Sequence, residues 1–328
     1  MTRSRWLVGG ALAGAVVVAC SRDYAAAPDA PDAAAGADAS SSPDVLLPAD
    51  ATSDTASEAG TDASEAGPFD ANFYGNLELW LAADYGVNPS DGGGITAWTD
   101  RSLHKRAVTA PLDATCQQGP TLVPSAIHGL PVLHFNGGTQ CLTVDGAFVS
   151  FASGLTVFAV FQPETCNSAF LGSASALFDS SKGVAGGSYT EGITVGRNPT
   201  PAQNASGDAY LLVTNGGGTG SVSITGGGSW APVTAELLEL RLPAAPGGAL
   251  VAGTAYVNGA TTAPNPNNPF VPDFESARTR TYVGYNANPV SGYPLYCGGI
   301  GELLVYSKAL SDADRVAVES HLRARWGL

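Results

Sequence analysis

The stretch Gly301–Leu328, "GELLVYSKALSDADRVAVESHLRARWGL", holds two kinds of structure back to back. Its first part, "GELLVYS" (301–307), is a short apolar run with β-branched and aromatic residues, as a buried strand has. The second part reads as a helix. Ser311 with Asp314 three residues on forms a capping box, and Asp312 and Asp314 suit the positive helix end. Val318, Leu322 and Trp326 recur at i, i+4 and i+8, which gives one narrow apolar stripe. Arg323 and Arg325 fall in the last turn, and Gly327 comes next as a stop. One strand therefore hands over to one helix with a thin sticky face, which is expected to pack as a lid on the edge of a larger core.

Upstream, the texture is that of strands. "LELWLAAD" (77–84) and "ITAWTD" (95–100) are short apolar runs split by Gly-rich "SDGGG" (90–94). "PTLVPSAIHGLPVLHF" (120–135) reads as two strands around a turn. "GLTVFAVFQP" (154–163) is nearly continuous in apolar residues, as a central strand covered on both faces is. Further strands are expected in 192–196, 209–214, 221–225, 237–242, 253–259, 279–286 and 301–307, with "VNG" (257–259) as a hairpin turn. The chain has 328 residues with 41 Gly, 22 Pro and 13% charged residues. Many short strands with turn signals between them indicate an all-β jelly-roll sandwich, here with a short C-terminal α-helix. One domain of this kind accommodates roughly 200–250 residues.

The N-terminal region differs in kind. Residues 1–19 pair a basic start, Arg3 and Arg5, with an apolar run from Leu7 to Ala19, too short to span a bilayer and suited to an export signal. Val17-Val18-Ala19-Cys20 resembles the lipobox of bacterial lipoproteins. That resemblance implies cleavage before Cys20, attachment of diacylglycerol to its thiol and acylation of the new amino group, giving a palmitate-type membrane anchor. Several acyl chains on one residue hold stably where one does not. The competing reading is an ordinary signal peptide in which Cys20 is incidental. Residues 20–70 are dominated by Ala, Asp, Ser and Pro, with "ASEAG" twice. They are predicted to be a disordered tether, spanning roughly 170 Å stretched and about 40 Å as a coil.

Of the net charge of −14, residues 21–70 carry −10 and the signal +2, which leaves −6 for residues 71–328. No Lys/Arg cluster suited to a phosphate backbone is read in that part, and nucleic acid is not an expected partner.

The order of motifs from about residue 75 to 328 is similar to one family. "LELWLAADYGV", "ITAWTDRS", "GLPVLHFNGG", "SGLTVFAVFQP" and the closing "GGIGELLVYSKALSDADRVAVESHLRARWGL" together resemble the laminin-G-like jelly-roll domain of the concanavalin A-like lectin and glucanase superfamily. The two ends carry the resemblance, and 164–275 is generic. It implies that the last strand returns beside the central one before the terminal helix. It also implies binding of carbohydrate or protein at cell surfaces, and calcium on the sheet rim in many members. Asp145, Asp179 and Asp208 are loop candidates for calcium whose spacing fixes no site.

Four cysteines remain after Cys20, and in an exported chain they read as two disulfides with three possible connectivities, or as free buried thiols. A hairpin centred near residue 127 or 128 sets Cys116 near 139 and so beside Cys141. The family pairing of 155–162 with 299–306 implies that Cys166 falls near Cys297.

No chemistry announces itself. The superfamily's Glu-x-Asp-x-x-Glu motif, which places a nucleophile and an acid/base on one sheet face, is absent. Glu302 has no carboxylate two or four residues away, and Glu78 and Asp84 lie six apart. The four histidines show no metal-ligand spacing, and the Gly-rich 216–229 lacks the Lys and helix of a phosphate loop, so it reads as a flexible loop. His134 reads as a packed or rim residue. Tyr189, Trp230, Tyr285, Tyr293 and Tyr296 are the aromatic residues that could stack on sugar rings, although each equally fits a core or rim position. The expected function is a non-catalytic, lipid-anchored binding or adhesion domain of a bacterial envelope, at the outer membrane or cell surface, with a glycan or envelope polymer as ligand. A structural spacer without a ligand and a carbohydrate-active enzyme with an unfamiliar site are the alternatives.

Overall fold

The computed structural model describes residues 69–112, 116–146, 151–164, 175–181, 192–197, 209–215, 218–223, 234–244, 253–262, 280–285 and 295–328. In chain order the strands are β1 (Leu77–Ala82), β2 (Val87–Pro89), β3 (Ile95–Trp98), β4 (Val108–Thr109), β5 (Thr121–Ile127), β6 (Leu130–Asn136), β7 (Leu142–Val144), β8 (Leu155–Pro163), β9 (Ser175–Ser181), β10 (Gly192–Arg197), β11 (Ala209–Asn215), β12 (Gly218–Ser223), β13 (Glu236–Leu242), β14 (Thr254–Val257), β15 (Ala260–Thr262), β16 (Arg280–Val283) and β17 (Cys297–Tyr306). A 3-10 turn, Ala71–Tyr74, precedes them and helix α1, Asp312–Trp326, comes last.

These strands form two antiparallel sheets packed as a sandwich. Sheet I runs β15-β14-β13-β8-β17-β6-β5. Strand β17 pairs with β8 on one side and, on the other, with β6 through its first half and β1 through its second. Sheet II runs β12-β11-β10-β9-β16-β7-β4-β3-β2. Between them lies one apolar core, with Leu79, Phe135, Val157, Phe161, Leu240 and Leu303 from sheet I meeting Trp98, Leu142, Phe178, Ile193 and Val283 from sheet II. The last strand does return beside the central one, and Gly299 faces Gln162 as expected. Both hairpin turns put two residues in the left-handed region, His128 and Gly129 between β5 and β6, Asn258 and Gly259 between β14 and β15. Such turns match the twist of the strands they join.

Three expectations change. Strand β9 was not read from the sequence, because "SALFDSS" sets three apolar residues among serines. The strand expected at 221–225 lies at Gly218–Ser223, paired with β11, and so takes up part of the Gly-rich stretch 216–229, expected to be a loop. The helix does not seal an edge. It lies on the outer face of sheet I, where Phe158, Val160, Leu237, Leu304 and Tyr306 form a second apolar cluster with Val318, Leu322 and Trp326. That face has alternate apolar residues on internal strands, and the helix stripe is what removes them from water. Trp326, wholly buried, sits over the middle strand. A Cβ on Gly301 would come within 2.6 Å of its ring, so only glycine leaves it room.

The helix signals are as read. Ser311 Oγ accepts the Asp314 N–H at 3.1 Å, and Gly327 ends the helix in the left-handed region. Cys116 and Cys141 are disulfide-bonded, with their Cα atoms 5.4 Å apart. The neighbouring bridge, Gln118 with Gln140, is parallel, so a turn of the chain rather than a continued hairpin brings them together. Cys297 is also disulfide-bonded, and Cys166 lies outside the described residues. Packing also includes the two described residues before 71: Phe69 stacks on His321 with ring centroids 3.7 Å apart, and Asp70 caps the 3-10 turn.

Candidate functional site

The two outer faces of the sandwich are built by the same alternation and end differently. On sheet I the row Tyr256–Glu239–Phe158–Leu304–Trp80 runs across five strands under the helix. On sheet II the corresponding outward row is Ala97–Thr109–Thr143–Tyr282–Asp179–Thr194, each residue paired with the next across a strand boundary. Its inward neighbours, Val108, Val144, Leu142, Val283, Phe178 and Val195, all belong to the core. Among the described residues no helix lies on this second face.

Within the sheet II row, Asp179 and Thr194 form the buried part, with Thr194 Oγ1 donating to Asp179 Oδ2 at 2.5 Å. Tyr282 and Thr143 are half-buried and Thr109 is exposed. Thr143 Oγ1 donates to the Thr109 carbonyl at 3.1 Å. Tyr282 meets Tyr285 edge to face, with ring centroids 5.1 Å apart, and both pack against the Cys116–Cys141 disulfide and Leu295. The disulfide thus backs a tyrosine pair. The Tyr296 N–H donates to the Gly284 carbonyl and the Gly137 N–H to the Tyr296 carbonyl, which places this cluster at the end of the sandwich where β17 starts. The 3-10 turn lies at the other end, roughly 30 Å away along β17.

The buried carboxylates of sheet I are spent on structure. Glu302 accepts an indole N–H on each oxygen, from Trp80 and from Trp326, both at 2.7 Å, and Arg325 Nε lies 3.2 Å away. Burial pushes its carboxyl above the usual range, against the pull of Arg325 and the two indoles. Glu239 is bonded to Arg315 at 2.6 Å, and the same guanidinium reaches Glu319 at 2.9 Å. Burial raises Glu239 to about 7, with Glu319 pushing the same way and Arg315 opposing. Asp100 accepts the Trp80 and Ser102 N–H groups and fixes the loop after β3. Glu78 holds Arg106 at 2.7 Å and accepts from Ser307 Oγ. None of these presents the open pair of carboxyls that hydrolysis of a glycoside needs.

Of the residues proposed from sequence, Tyr285 joins the sheet II cluster. Tyr296 is corrected to a core residue: it is 1% exposed, meets Phe135 edge to face and donates to the Gly299 carbonyl at 3.2 Å. Tyr189, Trp230, Tyr293 and Cys20 lie outside the described residues. For calcium, Asp179 sits in β9 rather than in a loop, Asp145 accepts the N–H of Gly146, and Asp208 lies outside the described residues. Among the described residues no three His, Cys, Asp or Glu side chains gather closely enough to hold a metal ion. His134 lies at a rim, 3.0 Å from Glu164. Sequence reasoning missed Tyr282, whose alternation with Val283 in a four-residue strand is too short a pattern to single out.

No family model matches the sequence, and no curated protein matches it. Solved structures do match. A tryptophan-to-alanine mutant of HCR D/C VPI 5995 aligns with a TM-score of 0.50 at 11% identity, over 77% of this chain and 53% of its own, so the chain spans about half of that structure. Domain 4 of AbnA, a GH43 extracellular arabinanase from Geobacillus stearothermophilus in complex with arabinotriose, gives 0.49 at 16% identity, over 74% of this chain and 98% of that one. The CBM40 of Ruminococcus gnavus IT-sialidase bound to α2,3-sialyllactose gives 0.40 at 13%, over 57% and 95%. At 11% identity the first of these likenesses is one of fold alone, and the fold here, from its two antiparallel sheets, is the jelly-roll type of β-sandwich.

Proposed function

We propose that this chain is a non-catalytic glycan-binding or adhesion domain of the laminin-G-like kind, held on a bacterial envelope through a lipid on Cys20, with recognition on the outer face of sheet II and its tyrosine end. The observation that carries this is the inequality of the two outer faces. Sheet I is closed by α1, while sheet II keeps a row of hydroxyls, Thr109 and Thr143, leading to the paired rings of Tyr282 and Tyr285. Hydroxyls exchange hydrogen bonds with sugar hydroxyls, and tyrosine rings take the apolar faces of sugars. The non-catalytic reading is supported by the engagement of Glu302, Glu239 and Glu78 with Trp, Arg and Ser partners. The anchor and the surface address rest on the sequence of residues 1–20.

An array of bacterial capsule and cell-wall polysaccharides tests the binding. One polymer class is expected to bind, and Tyr285→Ala is expected to weaken it at least tenfold while the variant still melts in one cooperative transition. No polymer bound, or binding indifferent to Tyr285 and Thr143, would refute the site. Separately, Cys20→Ser is expected to move the protein out of the membrane fraction, and its retention there would refute the anchor.

A further inference from the structure

The two most exposed large apolar side chains among the described residues are Phe73, 86% exposed, and Leu103, 79% exposed. They are far apart in sequence and lie at the same end of the sandwich. Phe73 meets Tyr74 edge to face. Lys308 Nζ donates to the Tyr74 carbonyl, and the adjacent Ser307 donates to Glu78 Oε1 at 2.7 Å. Glu78 Oε2 in turn lies 3.4 Å from His104 Nε2, next to Leu103, and the Ser102 N–H is held by Asp100. An unbroken run of contacts therefore joins the 3-10 turn to the tip of the 102–105 loop. Both apolar groups sit on rigid supports: the turn is capped by Asp70, and the loop is pinned through Asp100, Ser102 and Arg106 to β1.

This is also the end at which the described chain begins, at Phe69, with residues 20–68 leading into it. We propose that Phe73 and Leu103 form a membrane-contact surface that dips into the bilayer carrying the Cys20 lipid. The proposal rests on the lipid-anchor reading for which membrane is met, and not on the glycan reading. The charges around the patch are slightly acidic on balance: Lys105, Lys308 and Arg106 stand against Glu78, Asp70 and Asp145, and Asp312 and Asp314 beyond Tyr74 add two more acids. Insertion of apolar side chains, not attraction to anionic headgroups, is thus the main contribution. One ring and one Leu side chain give only weak partitioning alone. A linker of this length keeps the domain near its membrane at an effective concentration approaching millimolar, so a weak contact is populated. Contact at this end leaves the tyrosine cluster of sheet II at the distal end of the sandwich.

The test uses the mature chain beginning at Ser21, without lipid, in flotation with phosphatidylethanolamine vesicles containing phosphatidylglycerol and with phosphatidylcholine vesicles. Measurable binding to both is expected, and it should persist in high salt. Phe73→Ser and Leu103→Ser should each lower the partition coefficient about tenfold, as loss of one part-buried apolar side chain does. Unchanged melting of both variants shows that they remain folded. No flotation with either vesicle overturns the proposal, as does binding that high salt abolishes or that neither substitution weakens. A concentration-dependent dimer dispersed by Phe73→Ser would assign the patch to a second copy and overturn it equally. Release of Cys20→Ser with vesicle binding intact would leave this surface standing, and the reverse result would leave only the anchor.

Discussion

The two outer faces differ in what lies on them, not in how their strands alternate. On sheet I the outward row places Glu239 between Tyr256 and Phe158, and Trp80 beyond Leu304. On sheet II it places Thr109, Thr143 and Tyr282, between Ala97 on one side and the buried Asp179–Thr194 pair on the other. Apolar groups on an outer face have to be covered, and α1 covers them. The cover brings its own polar requirements under the surface: the indoles of Trp80 and Trp326 need an acceptor, and Glu302 supplies it with both oxygens. Arg315 needs a counter-charge and further acceptors, and Glu319 and Glu239 both lie within hydrogen-bond reach of its guanidinium. Sheet I has thereby become an interior. Polar groups on it are structural, whereas on sheet II Thr109 is exposed and Thr143 half-buried.

The sharpest way to break this contrast is to remove the cover's anchor. Trp326→Ala empties a wholly buried site above Gly301 and leaves one oxygen of Glu302 without its donor. A loss of about 3–5 kcal/mol is expected, as for buried aromatic truncation. Denaturant midpoints measure it. A shift under about 0.5 kcal/mol, the size of a surface effect, would mean that the helix is not a structural cover.

How much of this contrast was legible in the sequence depends on the range of the signals. Ser311, Gly327 and the Val318–Leu322–Trp326 stripe are local, so the helix and its ends were readable. A stripe of three residues does not say whether it meets an edge or a face. The sign was Gly301, a glycine within a strand where another group approaches closely, and only the structure shows that Trp326 is that group. Cys116 and Cys141 could be paired because both flank one hairpin. Strand β9 was hidden because an outward row of Asp179 and Ser181 around Ala176-Leu177-Phe178 leaves too short an apolar signal. Tyr285, within the expected strand 279–286, and Tyr296, outside the expected strands, look alike as candidates for sugar stacking, and tertiary packing alone sends one to the sheet II cluster and the other to the core.

Glu239 sharpens the contrast through pH. Its carboxyl is raised by burial from an ordinary value near 4.5 to about 7. A group raised on folding contributes stability that is complete below the unfolded value and is lost as pH climbs through the folded one. Between pH 4.5 and 7 the wild type should therefore lose stability relative to Glu239→Gln, by at most about 3 kcal/mol at full ionisation. Gln keeps an acceptor for Arg315 and does not titrate. Urea unfolding of both proteins across this range gives the difference directly. A difference that stays flat, or that grows in favour of the wild type as pH rises, would mean that Arg315 holds Glu239 ionised throughout.

The smallest expected effect sets one substitution on both faces. Thr156, on the outer face of sheet I, is buried; its Oγ1 donates to the Lys308 carbonyl and accepts the Leu310 N–H, both at 2.9 Å. Thr156→Val keeps the shape and leaves that N–H without an acceptor, at a cost of about 1–3 kcal/mol. Thr143, on the outer face of sheet II, is half-buried and donates to the Thr109 carbonyl at 3.1 Å. Water can replace that donor beside the exposed Thr109, and Val suits a strand as well as Thr does. Thr143→Val should therefore change stability by less than about 0.5 kcal/mol. If sheet II receives a glycan, the same variant weakens binding several-fold, because a sugar hydroxyl loses its partner where the fold does not. Equal stability losses at the two threonines would mean that sheet II is also closed over, and the contrast between the faces would fail at its most sensitive point.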